Sequence, residues 1–564
     1  MRSFVLCTYL IACTQVVQLA PDPLGNLVTI ELTPNDATLT ITDLAQAPQT
    51  LGYHAIGVFS DGSRRDITTM LNWSVDNMAP GGFLDPGTYT TSNAAAGHVG
   101  VTARSNDGVI ATAALTVIVD ATVIDPSYPG DPTLFDPSIP IIAGDPNSPS
   151  YVYPSDGTEM PQGVTSTLFQ AAVGSGFTLE LTFDADVLHL AVITTADRWD
   201  TGSQIQQLLA QSSIGSAIDC GIEASATAGT IYGGPPIALT FDVLQPGGSI
   251  YYWSAATNGI MLGALSSPSA PKLFPGDTSC VGCHSASRDG QSIGMAYGSE
   301  SMPLLQTIDA DTLATTIDRA QMLPGGWSTF SPDRTLVLVA GSGALELRDA
   351  QTGMPVGSDG KIALPAGHYA THPDWSPDGN SVAIAYTTTP PSDLSVGSAS
   401  IAVLPYKGSG TFGTPITLVT AVGLDNDYFP RYSPDGSFIA YVHATEPSQG
   451  AASAELWLVP STGGTPIALQ AASHTVSSMT SVANTADTMP TWAPMPGPHT
   501  YLAFTSSRAY GVVLPSNGES QIWVSAIDLT NTTDPSAPAF WLPCQDVTVL
   551  NNNPVWTFDS TAPQ

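Results

Sequence analysis

Basic residues are scarce in this chain: 14 Lys and Arg stand against 48 Asp and Glu over 564 residues, a formal charge of −34. Such a chain has no positive footprint with which to neutralise phosphates, so nucleic acid is not expected as a partner. The acidity reads either as solubility outside the cell or in salty surroundings, or as attraction for a basic redox partner. Long apolar runs are missing as well. Beyond the leader no stretch offers about 18 uninterrupted apolar residues, so the mature body is expected to carry no spanning helix. Helix-period runs are few, while 52 Gly, 47 Pro and 43% apolar residues point to turn-rich β structure. Cysteine is sparse at six residues, and past the leader Cys220 and Cys544 stand alone and far apart. A structural zinc site would need a second Cys/His pair at ligand spacing, and these two thiols do not supply one.

Against that background one stretch stands out, Cys280-Val281-Gly282-Cys283-His284. Two thiols three positions apart followed at once by an imidazole are the attachment signature of c-type haem. The thiols of Cys280 and Cys283 would form thioethers with the haem vinyls, and His284 would be an axial iron ligand. The competing readings are half of a zinc site, a redox-active dithiol or a disulfide between neighbours.

The chain is too long for one hydrophobic core, and three or four domains are expected. Residues 1–20 carry Met1-Arg2, an apolar run from Ser3 to Ala12 and then Cys13, the pattern of a secretory signal peptide. Leu10-Ile11-Ala12-Cys13 resembles a bacterial lipobox, which implies a lipid anchor at Cys13. Either leader predicts an extracytoplasmic protein, in the periplasm or at the outer membrane or cell surface. Residues 24–119 alternate apolar and polar positions from Leu27-Val28-Thr29-Ile30-Glu31-Leu32 to Ala113-Ala114-Leu115-Thr116-Val117-Ile118-Val119, as sandwich strands do. With Phe59-Ser60-Asp61-Gly62, a central Trp73 and the strand Gly97 to Ala103, the segment resembles the bacterial Ig-like group 2 domain, which implies a surface-exposed spacer or adhesive module. Trp73 is expected in its core. His54 and His98 are expected to be strand residues. Residues 120–150 read as a Pro-rich linker, since eight prolines between Pro126 and Pro154 argue against a packed sheet. Residues 151–272 read as a second β unit interrupted by a helix from Ser203 to Ser212. Its late strand, Gly247 to Trp253, resembles that of a fibronectin III-like sandwich. Cys220 within it is either a lone buried thiol or bridged to Cys544.

From residue 273 to 564 the chain repeats itself. Ser331-Pro332-Asp333-Arg334, Ser376-Pro377-Asp378-Gly379 and Ser433-Pro434-Asp435-Gly436 each precede an apolar strand. Degenerate copies start at Ser287, Ala493 and Thr557, so the marker position recurs every 44 to 64 residues. Four short strands fill such a period, and one such unit cannot bury both its faces alone, so the units must close into a ring. The repeat resembles that of TolB-type β-propellers, which implies about six blades, the last completed by a strand from elsewhere. Four residues before each marker lie Cys283, Trp327, His372, Phe429, Met489 and Asn553. In propellers of this type these positions ring one mouth of the central tunnel, so the haem would hang there. His372 and Met489 are candidate sixth iron ligands, with tunnel lining as their alternative role, and Met295 is a further candidate in a strand that suggests core.

The sequence therefore predicts an all-β chain of two N-terminal β-sandwich domains followed by a β-propeller. It would carry one covalent haem c and transfer electrons to an unidentified redox or envelope protein, with His284 and either His372 or Met489 on the metal. The alternative is a haem-free envelope scaffold that binds protein or glycan. Enzymatic activity, as a haem oxidase or peroxidase, is left open; no H-E-x-x-H occurs, and no catalytic residue is assigned.

Overall fold

The computed structural model describes residues 25–266, 271–275, 281–299, 302–392, 395–448, 450–474, 486–514, 518–543 and 545–559. The leader, Cys13, Cys280 and Cys544 lie outside this set. The described chain is all-β apart from short helices, of which the longest is Gly202–Ser212. Among the described residues no helix is long and apolar enough to cross a membrane. The chain divides into two units, up to Ile118 and from Val119 onward.

In the first unit, Leu27–Thr33, His54–Phe59 and Arg64–Asp66 form one antiparallel sheet. Asn72–Val75 and Gly97–Arg104 join the first part of the long strand Ile110–Ile124 in another. Alternation works as the sequence suggests: Val99, Val101 and Ala103 are buried, and the residues between them face outward. Trp73 packs beside Ile30, Ala55 and Leu71, with Tyr53 and Phe83 rings 5.8 and 5.1 Å away. Its indole N–H donates to the Thr68 carbonyl at 2.9 Å, so both its apolar body and its polar tip are satisfied.

The second unit begins with residues 119–124, which run parallel to Leu188–Thr194 in a sheet that continues through Thr178–Ala185 and Ala217–Ser225. Here the proline-rich segment departs from expectation. Ile141–Ala143 pairs with Ile231–Gly233, Ser150–Tyr153 pairs with Leu168–Ala172, and Phe135 is buried with Ile193 and Ile231. The prolines fall between these short strands, where no ladder donor is needed, and the apolar residues between them dock onto the sheet. Cys220 is fully buried, its thiol 3.8 Å from the Ile218 carbonyl.

Six further sheets follow, each with one strand at the inner end. Those inner strands are Val281–Ala286, Trp327–Phe330, Tyr369–Trp375, Asn426–Tyr432, Thr488–Trp492 and Asn551–Thr557. Each touches the next, and the last touches the first, so the sheets form a closed cycle. The cycle is shut by hydrogen bonds between chain regions 300 residues apart in sequence. Asn551–Thr557 pairs with Ser249–Ser254, which continues to Gly259–Gly263 and Lys272–Phe274. The segment Gly247 to Trp253, expected in a fibronectin III-like sandwich, thus belongs to the closing sheet, and the cycle starts at Ser249 rather than near residue 273. Its β-rich sequence fits either sheet equally well, and only the pairing partner distinguishes them. Tyr251, Ile260 and Phe274 of this sheet share one core with Val281, Met295 and Tyr297 of the next. Met295 is therefore core.

The marker tetrapeptide builds the same turn four times. The hydroxyls of Ser287, Ser331, Ser376 and Ser433 each donate to the Asp two residues on, at 2.6 Å. Each also accepts the backbone N–H five residues on, at 2.9 to 3.0 Å. Gly290, Gly379 and Gly436 close the turn at φ of 73 to 76°, a region open to glycine; Arg334 holds the same place at 59°.

Candidate functional site

The inner strands are bent by a shared irregularity. Register slips between Thr371 and Asp374, Tyr428 and Arg431, and Thr488 and Thr491. At each slip a residue followed by proline takes a left-handed backbone: His372 and Phe429 at φ 50°, Met489 at 53°, and Asn553 at 53° in the closing strand. A bulge places two residues opposite one and re-aims the side chains on either side of it. In the strand of the haem motif the slip lies between Val281 and His284, so Gly282 and Cys283 occupy it. The residues four before each marker therefore share a bulge in five of the six strands, while Trp327 sits in a strand without a slip.

His284 returns to the ladder opposite Met295 and is 4% exposed. Its Nδ1 lies 3.2 Å from the side-chain amide nitrogen of Asn553, on the neighbouring inner strand. Its Nε2 is buried with no hydrogen-bond partner among the described residues. Burial pushes the imidazole down to about 4, so it is neutral at neutral pH. Cys283 is half-buried beside it, and burial pushes its thiol up to about 12. The histidine is thus presented as a neutral imidazole, with Nδ1 beside Asn553 and the backbones of Tyr251 and Gly282 acting on the ring.

His372 is placed differently. It is 3% exposed, stacked on Phe429 with ring centroids 3.9 Å apart, and met edge-on by Trp327 at 5.0 Å. Trp327 also meets Phe429 at 4.9 Å, so three rings from three consecutive sheets pack into one cluster on the side where the tunnel mouth was expected. Neither His372 nitrogen has a partner among the described residues, and burial holds the ring well below its usual pKa. Met489 is half-buried in its own bulge. The structure brings His284 to Asn553, and His372 to Trp327, Tyr428 and Phe429. Among the described residues no group of three or more His, Cys, Asp or Glu could hold a metal ion on its own.

Sequence reading missed a second feature, a cavity of about 290 Å³ lined by the inner strands on the marker side. Two residues before each marker lie Ser285, Thr329, Asp374, Arg431, Thr491 and Val555, and all six line it. Three of them staple one sheet to the next. Thr329 Oγ1 accepts the Trp375 N–H at 3.1 Å, Asp374 Oδ2 the Tyr432 N–H at 2.8 Å, and Thr491 Oγ1 the Trp556 N–H at 3.0 Å. Arg431 breaks the pattern with a guanidinium 3.3 Å from Asp374 Oδ1. Arg288 enters from the first marker turn, donating to the Trp375 carbonyl at 2.6 Å and lying 3.5 Å from Asp374 Oδ2. Counting two back from the marker would have found the ring, and the odd residue in each register would have found the arginines.

No family model matches the chain, and no curated protein matches it. Among solved structures it is similar to TolB from Acinetobacter baumannii, at 15% identity and a TM-score of 0.35, covering 61% of this chain and 80% of that one. It is similar to a TolB of Agrobacterium tumefaciens at 17% identity and a TM-score of 0.32, covering 53% and 89%. A dihydro-heme d1 dehydrogenase, NirN, is similar at 16% identity and a TM-score of 0.30; the chain spans about half of that protein's length, 54%, over 53% of its own. The TolB neighbours, at low identity, are β-propeller proteins.

Proposed function

We propose that this chain is an exported protein of two β-sandwich modules and a six-bladed β-propeller, which carries one covalent c-type haem and passes electrons to a redox protein of the envelope. The observation that carries the reading is His284. It follows Cys280 and Cys283 at haem-attachment spacing, and its buried Nε2 has no direct hydrogen-bond partner among the described residues while Nδ1 faces Asn553. A buried imidazole nitrogen left unpaired costs about 1–3 kcal/mol, a cost that ligation removes. The donor set fits the group. Cys280 and Cys283 would hold it covalently, His284 would ligate it, and His372 or Met489 would supply the sixth ligand. When bound, the haem would supply a one-electron couple whose potential depends on that sixth ligand.

The chain's own residues prepare the ligand. Burial keeps His284 neutral, which is its ligating form. With its amide oxygen turned to the ring, Asn553 would accept the Nδ1–H and leave the Nε2 lone pair free; the two amide orientations are equivalent in outline. The leader would place the protein outside the cytoplasm, with Cys13 as the site of a lipid anchor. The test is a reduced-minus-oxidised spectrum of protein produced with c-type maturation machinery. Cys280→Ala or Cys283→Ala leaves one thioether and should weaken haem retention on a denaturing gel, and the double variant should abolish it. An unaltered haem band in the double variant would overturn the assignment.

A second reading, a haem-free envelope scaffold that binds protein or glycan, is favoured by one observation. The rings of Trp327, His372 and Phe429 pack against one another at the level where the haem was expected. On that reading the histidine is a packing residue and the purified protein is colourless.

A further inference from the structure

The cavity on the marker side gathers two of the few basic residues in the chain. Its charged lining is Arg288, Asp374 and Arg431, so two guanidiniums share one carboxylate and one positive charge is left over. Both arginines stand where the repeat calls for something else. The position after the marker is proline in Pro332, Pro377, Pro434 and Pro494, and Arg288 replaces it. The position two before the marker is Ser, Thr, Asp, Thr or Val in the other five strands, and Arg431 replaces it. Two independent departures from a structural repeat converge on one carboxylate and one cavity. A turn or an inter-sheet staple requires neither of them.

Asp374 is not free to neutralise both, because its Oδ2 already accepts the Tyr432 N–H. Arg431 spends one Nη on Asp374, and Arg288 spends one Nη on Asp374 and the Trp375 carbonyl. The remaining faces of the two forks are available to a guest. Hydroxyls add donors. Thr329 and Thr491 accept backbone N–H groups through Oγ1, which leaves each O–H proton to be donated. The remaining walls include the rings of Trp492, Trp556 and Tyr432, which suit an apolar body. A cavity of about 290 Å³ lies at the small end of ligand pockets.

We propose that this cavity binds a small organic carboxylate, its carboxyl group held by Arg431 and Arg288 and its apolar body packed against the tryptophans. A planar guanidinium fork matches a carboxylate with two parallel hydrogen bonds, and enclosure strengthens the pairing. The assignment does not depend on the haem reading.

The test is isothermal titration calorimetry of the full chain with 3-phenylpropionate, and with its neutral amide as a probe of the same shape, each up to about 10 mM. The acid should bind one per chain, and the amide at least tenfold more weakly. Arg431→Gln should weaken the acid at least tenfold. Because each arginine is one of the two cations beside Asp374, Arg288→Pro is the companion that removes the other. It restores the residue that four other turns use, gives up the bond to the Trp375 carbonyl, should still fold, and should also weaken the acid tenfold or more. Inorganic phosphate binding tightly and the acid not at all would overturn the carboxylate assignment, as would equal binding of acid and amide or wild-type affinity in a folded Arg288→Pro protein. A peptide ending in a free Phe carboxylate, run beside the free acid, distinguishes the source; tighter binding of the peptide assigns the carboxyl group to a chain terminus.

Discussion

At the scale of single residues, two buried histidines contribute to the acid behaviour. His284 and His372 are both held below the ordinary imidazole value by burial, so the unfolded chain binds protons that the folded chain does not. The sign follows from linkage. Their contribution is fully present above about pH 6.5 and is lost as the pH falls from there toward the folded value, about 4 for His284. His372→Phe keeps a ring on Phe429 and removes two unpartnered nitrogens; it should raise stability by about 1 kcal/mol and flatten the urea-midpoint profile between those limits. An unchanged profile would mean that His372 has a partner in solution. The same variant reports on ligation, since a changed ferric spectrum would assign His372 as the sixth ligand, and Met489→Ala is the parallel probe. The Cys-x-x-Cys-His spacing was legible in the sequence. The facing of His284 toward Asn553 was not, because a bulge shifted by one residue decides it.

Among the elements, the marker turns make the plainest case for local chemistry. Ser376 binds both Asp378 and the Ser381 N–H, so Ser376→Ala leaves a buried donor unpaired and should cost about 1–2 kcal/mol in chemical denaturation. Asp378 is held below the ordinary carboxylate value first by the Ser376 hydroxyl and then by the Asn380 N–H. Its stabilisation is therefore present above about pH 4 and lost as the pH falls through that region. Arg334 tests the glycine rule. Arg334→Gly removes about 1–2 kcal/mol of left-handed strain and loses a partly exposed ion pair with Asp289 worth about 0.2–1 kcal/mol, so the midpoint should not fall. These turns could be read from four letters because the tetrapeptide contains all its own partners. The proline-rich segment could not, because the partners of Ile141–Ala143 and Phe135 lie about 60 to 90 residues away in sequence.

Over the whole molecule, one pairing decides the organisation. Asn551–Thr557 on Ser249–Ser254 shuts the cycle of sheets, supplies Asn553 to His284, and brings Val555 and Trp556 to the cavity. Deleting residues 551–564 should remove on the order of 5 kcal/mol or more from the second unit, a large part of the stability of any domain, and should expose Ser249–Ser254 to proteolysis. The marker spacing revealed the repeat, but no local signal says that the closing strand's neighbours precede the first marker. That is a long-range choice among similar strands. The central claim, an iron porphyrin covalently attached through Cys280 and Cys283, is tested most directly by a pyridine haemochrome assay on the matured, purified chain. The account predicts one c-type haem per polypeptide, retained after denaturation. A colourless protein, or one that loses its pigment on extraction with acid and organic solvent, would contradict it.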